Sequence, residues 1–371
     1  MLTVPKTTGL ATYLTSILTD SVWEENVVKF HSFTVGREIH RKYLSLPISK
    51  NVVVSWPKPL AYLSWSFLNF PNIVDRISER IDAIWLPAKI LNGPRPKGIP
   101  IVVSVHDLCV FWYPEYYSLK ARIFSRILMS KSVAKADKII AVSDSTRRDL
   151  IELFKIPEEK ITVIHNGFNN MSSLRDNPQE IVNFRQREKI ESPFILFVGE
   201  ISLKKNILKI VDTFNILAKD FKDLKLILVG PPGFGYKRIR QYIEKCHMRD
   251  RIIIRGFVNN FEDVLRFYAS AEVFIFLSNY EGFGFPVLEA MSQGCPVVAS
   301  KTSSIPEVAG NAAALVSPHD SEEAAEAIKK LLLSENARKH LVFDGYKRCQ
   351  EFSWKKSASK TYETIRTVCL K

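Results

Sequence analysis

The sequence predicts an α/β protein built as two doubly wound domains, and three observations carry that prediction. Apolar runs of four to eight residues recur along the chain, near-continuous in Val, Ile and Leu rather than alternating. Such runs are the mark of parallel strands covered on both faces. Segments of helical length separate them, which gives the βαβ order of an open parallel sheet. The chain has 371 residues, 46% hydrophobic and 25% charged. That composition is globular, and the length suits two cores better than one.

In the first half the strand runs are NVVVSW at 51–56, IPIVVSVHD at 99–107, KIIAVSD at 138–144 and ITVIHNG at 161–167. Residues 168–193 are polar, with two prolines, and read as a linker carrying a short helix. The second half repeats the pattern with FILFVGE at 194–200, LKLILVG at 224–230, RIIIRGF at 251–257, EVFIFLS at 272–278 and PVVAS at 296–300. Pro286 suits a first helical position, so PVLEAMSQG reads as a helix ending at Gly294. The last stretch, 352–371, reads as helical after a break at Ser353.

Several classes fall away. No apolar run approaches the ~20 residues of a membrane helix, and the first residues lack a signal layout, so a cytoplasmic protein is expected. The five cysteines include no C-x-x-C pair, which argues against a disulfide framework or a zinc site. The net charge is +13, of which residues 1–170 carry +7 (22 Lys/Arg, 15 Asp/Glu) and the rest +6 (30 against 24). A nucleic-acid domain would concentrate that excess. Anionic ligands or an anionic membrane surface fit a dispersed one. GPPGFGYK at 230–237 lacks the Gly-Lys-Ser/Thr end of a P-loop.

Ligands of open parallel sheets bind beyond the carboxyl ends of the strands. His106-Asp107, Ser143-Asp144, Asn166-Gly167, Gly199-Glu200, Gly230-Pro231, Gly256 and 278–281 all stand at such ends. Two sheets facing each other would enclose one cleft. The densest of these places is YEGFGFPVLEAM at 280–291, where Glu281 and Glu289 have seven residues between them. Glu289 falls inside the helix, on the order of 4.5 Å along its axis from Pro286. Glu281 lies on the loop before it. Unpaired N–H groups at the helix start favour an anion, and glycines let a ligand approach the backbone. Carboxylates on either side suit vicinal hydroxyls, so the stretch fits a ligand that is both sugar and phosphate. A plain helix-dipole role for Glu289 is the alternative. In VGEISLKKNI at 198–207, Lys204 and Lys205 precede a helix of the same domain. A fixed cation there would serve a leaving diphosphate; an exposed surface pair is the alternative.

These features together resemble the retaining GT-B glycosyltransferases of family 4. The carriers are E-x7-E (Glu281, Glu289), FVGEISLKKN, the run 256–300, and SSIPEVAGNAAALVSPHD at 303–320, in that family's order and spacing. VSVHDL, AVSDSTRRDL and VIHNG agree in the first half. The resemblance implies a GT-B fold, two Rossmann-like doubly wound domains facing across a cleft. It sets residues 1–170 as the acceptor-side domain, 171–193 as linker and 194–352 as the nucleotide-sugar domain, with helix 354–371 returning to the first. It implies that Glu289 holds the donor ribose and Glu281 faces the donor sugar. Backbone amides of Gly282, Phe283, Gly284 and Phe285 would meet sugar and phosphate. Lys205 with Lys204 would neutralise the diphosphate, and His106 would lie near donor sugar and acceptor. Gly199, Gly230 and Gly256 fall on the donor side; Gly9, Ser143 and Asn166 on the acceptor side. No cofactor or metal is implied, because lysines replace the metal.

The chain departs from the family twice. Many members carry an arginine after the glycine of the first VG, where this chain has Glu200. The opening TTGLATYL has one glycine and no arginine where the family has a GGIGRY-like loop, with little chain before it for a first strand.

The expected activity is retaining transfer of a hexose, mannose favoured, from a nucleotide-diphosphate sugar such as GDP-mannose to a glycan or lipid-linked acceptor in surface polysaccharide synthesis. A nucleotide-sugar epimerase and an inactive sugar-binding scaffold are the alternatives. Residues 116–138 are basic and apolar. Arg122 and Arg126 fall on one side of a helix and Lys120, Lys131 and Lys135 on another. With no single basic stripe they read as an ordinary solvated helix, with membrane-surface contact as the alternative.

Overall fold

The structure, a computed structural model, describes residues 9–26, 28–35, 48–54, 64, 80–87, 98–169 and 171–370. It divides into two compact units. The first comprises 1–114, 118–167 and 352–371; the second comprises 115–117 and 168–351.

In the first unit, β1 (Phe30–Val35) pairs in parallel with β2 (Ile48–Val54). Strands β3 (Ile84–Leu86), β4 (Ile101–Val105), β5 (Lys138–Ala141) and β6 (Ile161–Val163) form a parallel sheet in that spatial order. Every residue of β4 is buried. Val103, Val105, Leu108, Met129, Ile139 and Leu150 share its core, which is what a continuous apolar run predicts. The helix Asp144–Phe154 starts where Ser143 Oγ accepts from Thr146 N at 3.1 Å, a standard N-cap. The final helix Trp354–Cys369 begins at the cap Ser353 and belongs to this unit. Ser357 Oγ donates to His165 O at 2.6 Å. A Cβ at Gly167 would stand 2.2 Å from Trp354 N, so only glycine admits the helix there.

The second unit holds six parallel strands: β7 (Phe194–Val198), β8 (Lys225–Val229), β9 (Ile252–Gly256), β10 (Val273–Phe276), β11 (Val297–Ser300) and β12 (Ala314–Val316). Their order is β12-β11-β10-β7-β8-β9. The chain therefore grows outward from β7 to β9, returns, and grows the other way from β10. Between β7 and β10 the winding reverses, the place where open parallel sheets bind their ligands.

The nine strand runs read from the sequence are all strands, and their polar ends are loops. Positions 55 and 56 of the first run, and 1–8 of the opening stretch, lie outside the described residues. Three strands were not read from the sequence: β1, β3 and β12. The last two have only three residues each. Residues 171–193 differ from the expected linker because they pack as part of the second unit. Arg175 Nε donates to Ala269 O at 3.0 Å, Arg185 Nη1 to Ser270 O at 3.2 Å, and Phe184 is buried on the Phe267 ring. Polar composition hid this, since two of the anchors are arginines that satisfy backbone carbonyls. Among the described residues no helix is long and apolar enough to cross a membrane.

Candidate functional site

The two strands at the reversal of winding deliver the two groups read from the sequence as chemically active. After β7 the chain makes a short turn, Leu203–Lys205. After β10 it makes the loop that holds Glu281. Asn279 N donates to Lys204 O at 3.2 Å and ties the loops together. Lys205 Nζ forms an ion pair with Glu281 Oε1, and both side chains are largely buried, 17% and 12% exposed. The ammonium also lies 5.2 Å above the Phe276 ring, in cation–π range.

Each partner is held from behind. Asn206 takes a left-handed conformation (φ 57°) to start the helix Ile207–Asp220, and its Nδ2 donates to Pro318 O at 2.6 Å. Ser278 Oγ donates to the same Glu281 oxygen as Lys205. Glu281 N donates to Ser303 Oγ at 2.9 Å, and Ser304 Oγ donates to the carbonyls of Glu281 and Phe283 at 3.0 and 2.8 Å. Burial pushes the Glu281 carboxyl up, but Lys205, Lys204 and the bonds from Lys205 and Ser278 outweigh it and hold the group below the usual carboxylate range. The site is thus a fixed carboxylate with a fixed cation against it.

Gly282, Phe283 and Gly284 carry the chain from Glu281 into the helix Phe285–Ser292. Gly284 has φ 116°, and a Cβ there would meet Ile305 Cδ1 at 2.7 Å, so this turn needs glycine. Pro286 occupies the first turn of the helix, as its fixed φ favours. Glu289 follows one turn inside and is half-buried. Its Oε2 accepts from Tyr268 OH at 3.0 Å. Burial pushes the Glu289 carboxyl up to about 7, against the smaller opposite effect of that bond. The two acids therefore sit in opposite electrostatic states: Glu281 is held ionised by cations, while Glu289 is poised near neutrality by desolvation.

Gly199 and Gly230 end β7 and β8 side by side. Their φ values are 150° and 145°, and a Cβ at 230 would fall 1.8 Å from Gly199 O. Gly256 ends β9, two strands from β7, on the order of 10 Å along the sheet; its carbonyl accepts from Gly230 N at 2.9 Å. The structure thus groups Lys204, Lys205, Glu281 and the 282–285 turn, sets Glu289 one turn behind, and leaves Gly256 apart. Glu200 is exposed, and its carboxyl group packs over Gly233, where a Cβ would come within 2.3 Å of Glu200 Cδ. It turns toward the loop after β8.

In the first unit, His106 follows β4. Its Nε2 lies 2.8 Å from Pro87 O, and its ring stands edge-on to Tyr13 at 4.6 Å. Tyr13 is buried and bonded through its OH to Ser104 Oγ at 3.1 Å. His106 is therefore held firmly by ring packing and one nitrogen. Ser143 spends its hydroxyl on the cap and on Thr146 Oγ1, at 3.0 Å. Asn166 is 3% exposed, and its Oδ1 has no hydrogen-bond partner among the described residues. Gly9 is exposed at the start of the helix Gly9–Leu18.

The sequence reading gave no supporting role to Ser278, Ser303, Ser304 and Tyr268, although it placed Ser278 in the strand-end stretch 278–281. The first three are hydroxyls that fix Glu281, and only their closeness to it in space marks them. Tyr268 lies 21 residues before Glu289, and its helical phase toward the next helix has no signal in a single sequence.

Comparison with known proteins follows the same division. Residues 179–348 match the family described as glycosyl transferases group 1, and residues 27–170 match Glycosyltransferase Family 4. O-antigen chain mannosyltransferase B of Escherichia coli is 29% identical over 269 residues, 72% of this chain and 70% of that protein. O-antigen chain mannosyltransferase RfbU of Salmonella typhimurium is 25% identical over 290 residues, 72% of this chain and 77% of that one. The serotype-specific mannosyltransferase WbdA of Escherichia coli matches at 28%, but this chain covers only 32% of its length. Among solved structures, Anabaena Alr3699/HepE in complex with UDP and glucose superposes with TM-score 0.70 at 20% identity, covering 98% of this chain and 97% of the other. WaaG, a glycosyltransferase involved in lipopolysaccharide biosynthesis, gives 0.71 at 16%, covering 97% and 96%.

Proposed function

This chain belongs to the GT-B glycosyltransferases, Family 4 in its first part and group 1 in its second, and from that premise we propose that it transfers mannose from GDP-mannose to a glycan or lipid-linked acceptor in surface polysaccharide synthesis, with retention at the anomeric carbon. The observation that carries the reading is the Lys205–Glu281 pair at the reversal of winding between β7 and β10. A nucleoside diphosphate sugar has the two features such a pair answers, a diphosphate for the cation and sugar hydroxyls for the carboxylate. The choice of mannose is supported by the names of the relatives in Escherichia coli and Salmonella typhimurium.

In this reading the donor enters between Lys205 and Glu281 and takes the ammonium's attention from the carboxylate to its diphosphate. Lys204 adds charge nearby, so the lysines supply what a metal would. Glu281, already ionised, accepts from hydroxyls of the sugar and orients it. Glu289 accepts from the ribose, and the amides of Gly282 through Phe285 meet sugar and phosphate. As the glycosidic bond breaks, charge grows on the leaving diphosphate and Lys205 stabilises it. The acceptor hydroxyl gives its proton to that phosphate and attacks on the same face. The protein supplies position and field rather than a nucleophile. His106 would lie near the donor sugar and the acceptor.

A thermal-shift panel of nucleotide sugars tests the donor. GDP-mannose at about 100 times its dissociation constant should stabilise the fold by roughly 2.7 kcal/mol, with UDP-glucose giving less. Stabilisation by UDP-glucose alone would replace mannose by glucose, and no response to any nucleotide sugar would remove the donor assignment.

A further inference from the structure

Glu115–Tyr117 belongs with the second unit, although the chain on either side of it, up to Pro114 and from Ser118, belongs to the first. The base of this excursion is fixed. Pro114, whose ring sets φ, begins the turn Pro114–Tyr116. The short helix Cys109–Trp112 precedes the turn, and the helix Leu119–Lys135 follows from the cap Ser118, whose Oγ accepts from Ala121 N at 3.4 Å. Arg126 of that second helix donates to Val110 O (3.2 Å) and Phe111 O (2.9 Å), which clamps the two helices together across the base of the turn. The sequence therefore presents Tyr116 on a short loop closed at its foot.

The phenol meets the loop that carries Glu281. Asn279 Nδ2 donates to Tyr116 OH at 2.5 Å. Asn279 is 5% exposed, and its Oδ1 has no hydrogen-bond partner among the described residues. Turned over, the amide would accept from the phenol and leave its nitrogen unpaired, so Tyr116 is its partner in either orientation. Without the phenol this buried carboxamide would have no partner at either end among the described residues, so Asn279 is held where Tyr116 stands. The main chain of Asn279 passes the constraint on. Its N donates to Lys204 O at 3.2 Å, and its O accepts from Thr302 Oγ1 at 3.4 Å. Lys204 lies in the turn Leu203–Lys205, whose last residue carries the ammonium paired with Glu281.

We propose that Tyr116 is a positioning residue for the Lys205–Glu281 pair: through the Asn279 carboxamide, its phenol sets the loop after β10 against the turn after β7. For its effect on catalysis the proposal rests on the donor-site reading above; the tie between the loops rests on geometry alone. Lys205 stabilises the diphosphate most as charge grows on it. A slight loosening of its turn therefore costs the transition state more than the bound donor. Tyr116 acts through Asn279 and is not itself a catalytic residue.

The test compares the full-chain wild type with Tyr116→Phe, Asn279→Ala and the double variant, by hydrogen exchange of the ligand-free proteins and by the kinetics of sugar transfer or hydrolysis from GDP-mannose. Tyr116→Phe removes one oxygen from a half-buried side chain, so it should melt with the wild type. Its amides at 203–206 and 278–281 should exchange faster, while those of β7 and β10 should not. Its kcat should fall about three- to tenfold, the range for one lost hydrogen bond, with a smaller change in donor KM. The double variant should be no slower than Asn279→Ala alone, because the phenol acts through that side chain. Unchanged exchange in Tyr116→Phe overturns the proposal whatever the activity, and so do losses in kcat that multiply in the double variant. Faster exchange with the kcat of the wild type also overturns it, since the contact would then serve structure alone. Should Asn279→Ala fail to fold, exchange and kcat of Tyr116→Phe decide by themselves. A wild type that transfers no sugar from any nucleotide sugar overturns the donor-site reading instead, and the exchange result still decides whether Tyr116 ties the loops.

Discussion

On the proposed reading, the chemistry turns on Glu289 and Lys205. The fold favours neutral Glu289, since burial lifts its carboxyl from an ordinary 4.5 to about 7. A raised acid stabilises the fold fully below the unfolded value and loses that contribution as pH rises through the folded one. Stability of the ligand-free protein should therefore fall between about pH 4.5 and 7 on this account, and Glu289→Gln should be more stable than the wild type at pH 8 by roughly 1–3 kcal/mol. Chemical denaturation of both across that range checks it. Ribose hydroxyls want the carboxylate, so binding must expel the proton. Titration calorimetry near pH 6.5 in two buffers of different ionisation enthalpy should show proton release by the wild type and none by Glu289→Gln. Glu289→Ala should weaken nucleotide binding by about 1.5–3 kcal/mol per charge-assisted bond lost, and unchanged affinity in a folded variant would take Glu289 out of the site. Lys205→Ala leaves the largely buried Glu281 without its partner, so a loss of stability of several kcal/mol accompanies any loss of activity. That variant must be assayed below its own melting point, with Glu281→Gln/Lys205→Ala as the control that removes the stranded charge.

At the scale of elements, the site is held by turns that only particular residues allow. Ser304 ties the carbonyls of Glu281 and Phe283 to the start of the helix Ile305–Ala309. Ser304→Ala frees two buried acceptors and should cost about 1–3 kcal/mol, with a rise in donor KM larger than the fall in kcat as the loop loosens. Kinetics with melting curves would separate this from a simple stability defect, which leaves KM unchanged below the transition. Gly230→Ala places a Cβ on Gly199 O and forces β7 and β8 apart at the ends that carry Glu200 and Lys205, so it should fail to accumulate folded protein. The strands were legible because buried parallel strands are written as unbroken Val/Ile/Leu runs, and the helix after Glu281 because Pro286 marks its start. β3 and β12, three residues each, were not read, although β6 of the same length was. The packed 171–193 segment was not legible because arginines bonded to carbonyls look, in one sequence, like solvated arginines.

Over the whole molecule, the reversal of winding between β7 and β10 decides where Lys205 and Glu281 meet, 76 residues apart in sequence. E-x7-E named Glu281 and Glu289, and only the strand arrangement shows why a lysine of the preceding half-sheet is the partner of the first acid. The opposite states of the two carboxylates, one ionised by cations and one desolvated, could not be read from spacing at all. The dispersed +13 charge suits a protein that meets an anionic ligand such as a diphosphate. The central claim is that the Lys205–Glu281 site breaks a glycosidic bond to a nucleoside diphosphate. It is tested most directly by following radiolabel from GDP-mannose into lipid-extractable or glycan material, with a membrane extract as acceptor source, for the wild type, Lys204→Ala and Lys205→Ala. The account predicts transfer by the wild type, a loss of about 10²–10³ in rate for Lys205→Ala at saturating donor, and a smaller loss for Lys204→Ala. Folded wild type that binds the donor but neither transfers nor hydrolyses it, or a Lys205→Ala variant as fast as the wild type, would contradict it.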